Sequence, residues 1–74
     1  MSNTTSAAPA VLPSGPDFAS ARRLAGVSQT LAAAIAGVDK SSIQRFESGV
    51  TPTRGNTIVG LAKAYSRFLR ETAA

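Results

Sequence analysis

The sequence predicts an all-α domain of four or five short helices. Three observations predict it. Apolar residues recur at helical spacing from residue 17 onward, glycines and prolines punctuate the chain between those stretches, and no segment alternates apolar with polar residues as a half-buried strand does. The chain has 74 residues, enough for one domain with a thin core.

Residues 1–16, MSNTTSAAPAVLPSGP, hold Pro9, Pro13 and Pro16 and no charged side chain. This composition predicts a flexible arm ahead of a folded domain at 17–72. The arm has no Lys or Arg with which to hold a polyanion, so it reads as a passive tail. Val11 and Leu12 are its candidates for packing back on the domain. The first helix is expected to start at Asp17, an N-cap following Pro16, and to end at Gly26. Phe18, Ala21 and Ala25 fall near one face of it.

Ser28 is the N-cap of the second helix, QTLAAAIA, which Gly37 closes. Alanine is the best helix former, so this segment is strongly helical, and its small side chains admit a close neighbour. In the third, VDKSSIQRFESG, Asp39 is the N-cap. Val38 and Ile43 are placed to form a hydrophobic staple across the helix start. Ile43 and Phe46 point inward, Lys40, Ser41, Gln44, Arg45 and Ser48 point the other way, and Gly49 stops the helix. A loop with Pro52 and Gly55 leads to TIVGLAKAYSRFLRETA, where Ile58, Leu61, Ala62 and Tyr65 make an inward face. Gly60 weakens this helix locally and allows close packing. A break near Ser66 would divide the segment in two; one continuous helix is the alternative. Val38, Ile43, Phe46, Ile58 and Leu61 are the core candidates.

Net charge is +4 and unevenly placed. Between residues 40 and 70, Lys40, Arg45, Arg54, Lys63, Arg67 and Arg70 face Glu47 alone, a local balance of +5 that favours a polyanionic partner. There is no cysteine and no histidine. Disulfide scaffolds and the usual zinc sites are thereby excluded, and no cofactor or metal is expected. The four acidic residues form no evident catalytic pair, and there is no phosphate-cradling glycine motif, so an enzyme is not expected. No apolar run is long enough to span a membrane, and the N-terminus lacks a secretory pattern. A cytoplasmic location, in a bacterial cell or a phage-infected host, is the expectation.

The informative unit is residues 28–48: two short helices joined by Gly37-Val38-Asp39, the shape of a helix-turn-helix. The second helix presents Lys, Ser, Gln and Arg outward with no acidic residue before Glu47. Such side chains hydrogen-bond to base edges and phosphates in a major groove. Residues 26–49, GVSQTLAAAIAGVDKSSIQRFESG, resemble the lambda-repressor-like family of helix-turn-helix domains, the Cro and phage-repressor class. The resemblance rests on Ser28-Gln29, Ala33, Gly37-Val38, Ser41, Ile43, Glu47 and Gly49, and extends with lower fidelity from Phe18 to about Tyr65. It departs at Ala32, where the family often has leucine, and at Pro52, one position before the usual loop proline.

The resemblance implies a regulator that binds double-stranded DNA as a homodimer on a palindromic operator. It implies base contacts from Lys40, Ser41, Gln44 and Arg45, with Arg45 the leading specificity residue. Backbone contacts are implied for Gln29, at the start of the second helix, and for Arg54, Asn56 and Thr57 around the start of the last. It also implies that Arg22 pairs with Glu47 and thereby orients the recognition helix. Tyr65, Phe68 and Leu69 are expected at a dimer contact, with packing on the chain's own core as the alternative. Regulators of restriction systems and antitoxins share the domain. A protein-interaction module that kept the fold and lost DNA binding is the competing reading, and the basic face of the third helix argues against it.

Overall fold

The computed structural model of the chain describes residues 12–72. Four helices follow in order: α1 Gly15–Leu24, α2 Gln29–Ala36, α3 Lys40–Glu47 and α4 Gly55–Thr72. Among the described residues there is no strand. The architecture is the all-α one expected of a lambda-repressor-like domain, with four helices rather than five among the described residues. No break occurs at Ser66: α4 runs unbroken for 18 residues, because it keeps burying side chains as far as Phe68.

The start of the first helix differs from expectation. Its N-cap is Ser14, not Asp17; the Ser14 hydroxyl accepts from the Asp17 backbone N–H at 3.2 Å. Pro16 then lies inside the first turn, where its missing N–H costs nothing. Asp17 sits in that turn instead, its charge favourable to the helix dipole. Leu12 packs against the core. Residues 13–16 of the expected arm are described too, and Gly15 and Pro16 belong to α1; residues 1–11, Val11 among them, lie outside the described residues.

α2 and α3 pack on each other; α1 packs on α3 and α4, and α4 also covers α2. Phe18, Ile43, Leu61 and Phe68 are fully buried. The Phe18 ring lies edge-on to both Phe46 and Phe68, with centroids 5.4 Å apart in each pair. Such pairs add about 0.5–1.5 kcal/mol beyond the area they bury. Small residues fill the spaces between: Ala21, Ala32, Ala33, Ala36 and Ala64. Ala32 is wholly buried while Leu31 is half exposed, so the neighbouring leucine does not replace the larger contact at Ala32. Of the expected core, Ile43, Phe46 and Leu61 are buried, Val38 packs against them, and Ile58 is half-buried.

Between α2 and α3 the backbone reverses at Gly37, whose φ of 71° and ψ of 34° are left-handed. The Val38 N–H returns to the Ala33 carbonyl at 3.0 Å and thereby satisfies a helix-end acceptor. A Cβ at Gly37 meets nothing within 4 Å, so alanine there suffers only the backbone penalty. Gly37→Ala is expected to lower the unfolding free energy by about 1 kcal/mol in a denaturant titration, and Gly37→Asn by less.

Candidate nucleic-acid interface

α3 is divided cleanly by face. Ile43 and Phe46, at 0% and 5% exposure, anchor it to the core. Lys40, Ser41, Gln44 and Arg45 are all exposed on the opposite side. The Ser41 hydroxyl makes a long local bond to the Asp39 carboxylate, 3.4 Å away. Asp39 is the N-cap by backbone geometry, but its side chain caps no N–H. Its carboxylate, exposed at the start of the helix, is an acidic group on the edge of an otherwise basic face.

What fixes the far end of α3 is a hydrogen-bonded cluster around Glu47. Arg22 of α1 donates from Nε to Glu47 Oε2 at 2.7 Å and from Nη2 to Oε1 at 3.1 Å, the bidentate fork that guanidinium and carboxylate favour. Its Nη1 donates to the Val27 carbonyl at 2.9 Å. Both side chains are about nine-tenths buried. The expected pair is therefore present, and it ties α1, the loop before α2 and the last turn of α3 together. A third donor joins it: Gln29 Nε2 lies 3.0 Å from Glu47 Oε1. The family resemblance implies a DNA backbone contact for Gln29 and says nothing of Glu47. The 18 residues separating it from Glu47 carry no local signal that would have revealed this bond.

The loop and the start of α4 form the other wall of the site. An open cleft of about 830 Å³ separates α3 from residues 50–57 and brings Arg45, Arg54, Asn56 and Thr57 to one concavity. Lys40, Ser41 and Gln44 stand outside its lining, and Gln29 lies at the Glu47 cluster. The Arg54 carbonyl accepts from the Ile58 N–H at 3.0 Å, which places Arg54 and Asn56 at the opening of an 18-residue helix. Backbone N–H groups there favour an anion. Arg54 and Asn56 are exposed; Thr57 is half-buried. Val50 is a cleft residue that sequence reasoning passed over. It is 53% exposed, and its N–H donates to the Arg45 carbonyl at 3.0 Å. No periodicity marks it, because it belongs to a loop.

The expected dimer contact needs one correction. Phe68 is completely buried in the chain's own core, where it meets Phe18, and has no surface to offer a partner. Tyr65 is half-buried and Leu69 is 45% exposed.

A family model described as Helix-turn-helix matches residues 18–67, about two thirds of the chain. Comparison with curated proteins and with solved structures gives no match.

Proposed function

We propose that the chain, which belongs to the helix-turn-helix family, is a sequence-specific regulator of transcription that binds double-stranded DNA by inserting α3 into the major groove. DNA binding and regulation in general follow from the family. The specific reading is that of a phage or prophage repressor, or a Cro-like protein, acting in the cytoplasm of a bacterial cell or infected host. The observation that carries it is the face of α3. Lys40, Ser41, Gln44 and Arg45 are exposed together on a helix held by Ile43, Phe46 and the Arg22–Glu47 fork.

In this reading Arg45 donates two hydrogen bonds to a guanine edge, Lys40 reaches guanine or a phosphate, and Gln44 reads adenine or meets the backbone. Ser41 is small enough to let the helix approach. Gln29, Arg54, Asn56 and Thr57 hold phosphates and so set the register of the protein on the duplex. A homodimer, with Tyr65 and Leu69 of each copy at the contact, would place two recognition helices about 34 Å apart on a palindromic site. The same surface would serve an antitoxin or a restriction-control regulator equally.

Selection from a random duplex library, followed by binding at several salt concentrations, tests the reading. Enrichment of one palindrome supports it; weak binding that ignores sequence sinks it. On the selected site, Arg45→Ala should cost about 1–3 kcal/mol and relax preference at one base position. Arg54→Ala should instead weaken binding to every duplex alike and reduce the slope of log affinity against log salt by about one unit.

A further inference from the structure

We infer that Gln29 is a positioning residue for the recognition helix, acting through Glu47 on sequence discrimination and not only on overall affinity. The inference rests on the reading of the chain as a sequence-specific duplex binder, and names a residue on which that specificity depends.

A carboxylate accepts and does not donate, so the Gln29 carboxamide must turn its NH2 group toward Glu47 Oε1, 3.0 Å away. Oε1 also takes the Arg22 Nη2 donor at 3.1 Å, while Oε2 takes Nε at 2.7 Å. A single carboxylate thus receives α1 through Arg22 and the first residue of α2 through Gln29. Glu47 is the last residue of α3, and Arg45 stands two residues before it. The first turn of α2, where backbone N–H groups can meet a phosphate, is thereby linked to the turn that carries Arg45.

The consequence runs against the simplest view of Gln29. A glutamine that only touches phosphate would, when removed, lower affinity for all sequences equally. Gln29 in this structure is also one of three donors that hold the end of α3. When it is lost, Glu47 stays forked to Arg22, but α2 no longer braces that end, and the helix reads bases from a less fixed orientation. One N–H of the Gln29 amide is engaged by Glu47, and the amide keeps its second for a phosphate. The same side chain thus joins backbone contact to base reading.

The test compares the wild-type chain with Gln29→Met, similar in length but without a donor, and Gln29→Lys, which restores an N–H donor to Glu47. Each is titrated with the duplex preferred by wild type and with duplexes changed at single positions beneath α3. Thermal melting of each variant shows that it is folded. The ratio of affinities, preferred over changed, is the readout, because any uniform gain or loss cancels from it. Gln29→Met is expected to lower this ratio by about fivefold, the size of coupling usual within one hydrogen-bond network, and Gln29→Lys to recover it. An unchanged ratio in Gln29→Met, with or without a uniform loss of affinity, overturns the inference. A wild-type chain that ranks all duplexes alike overturns the underlying reading, and the inference with it, and is seen before any variant is made.

Discussion

Glu47→Leu is expected to destabilise the domain by about 3–5 kcal/mol, the range found when one partner of a buried ion pair is removed. The loss comes less from the missing attraction than from what is left behind. Arg22 is about nine-tenths buried and sends two N–H groups to Glu47. With leucine in place of the carboxylate, those donors face an apolar side chain, and the guanidinium cannot shed its charge. Gln29 loses its acceptor as well. Natural domains of modest size hold only about 5–15 kcal/mol in total, so this one change removes a large share of the margin. Urea denaturation measures it directly. The double variant Arg22→Leu with Glu47→Leu is expected to recover most of the loss, since it removes the stranded charge and leaves the Val27 carbonyl and the half-buried Gln29 amide to find other partners. A Glu47→Leu protein within about 1 kcal/mol of wild type would show that water screens the pair as it does at a surface, and that Glu47 does not hold α3 in place.

The cluster also explains why an acidic residue is tolerated on a helix meant for a polyanion. Glu47 turns its charge inward to Arg22, away from the face of Lys40, Gln44 and Arg45. Glu47→Leu should therefore weaken DNA binding even at temperatures where the variant is folded, because the end of α3 loses both of its hydrogen-bonded tethers.

The fold was legible in the sequence where local chemistry decides structure. Ser28, Gly37, Asp39 and Gly49 mark α2 and α3 to within a residue of where they begin and end, because caps and left-handed turns depend on neighbours in the chain. The inward pair Ile43 and Phe46 follows from helical period alone. Legibility failed where two signals competed or where the deciding partner is distant. Ser14 and Asp17 are both good caps three residues apart; the helix starts at Ser14, whose hydroxyl takes the Asp17 N–H, where Gly15 packs against the Phe46 backbone. Phe68 looked available because a helix that continues past the core and one that stays in it share the same period; contact with Phe18, 50 positions away, decides the matter. The face of α4 is also rotated from expectation. Ala64 and Phe68 are buried together with Leu61, while Ile58 and Tyr65 lie at the edge. At the candidate interface, the division of α3 into inner and outer faces could be read from spacing. The bond from Gln29 to Glu47, and the cleft joining Arg45 to Arg54, required the tertiary structure.

Gly60→Ala is the second large effect expected, and its sign is opposite to the one helix propensity gives. In an exposed helix interior, alanine is favoured over glycine by about 1 kcal/mol, and Gly60 lies within α4. Its surroundings reverse that preference. A Cβ at Gly60 would overlap the carbonyl oxygen of Ala36 and stand 3.1 Å from the carbonyl carbon. The obstacle is backbone, so no side chain can swing aside. α2 and α4 would have to move apart, opening contacts among Ala33, Ala36, Leu61 and Ala64, which share one core. Overpacking of a core usually costs about 1–3 kcal/mol, and a clash this close to a main-chain atom places Gly60→Ala at about 3 kcal/mol or beyond. Ala36 is the last residue of α2 and immediately precedes the Gly37 turn, so the same displacement reaches the joint that aims α3. Gly55→Ala supplies the contrast within the same helix. A Cβ there meets nothing within 4 Å, and the substitution should be neutral or stabilise by up to about 1 kcal/mol. Paired melting curves decide between the two accounts. If Gly60→Ala melted at or above the wild-type temperature, propensity would outweigh contact, and the close approach of α4 to α2 could not be what sets the geometry of the turn before the recognition helix.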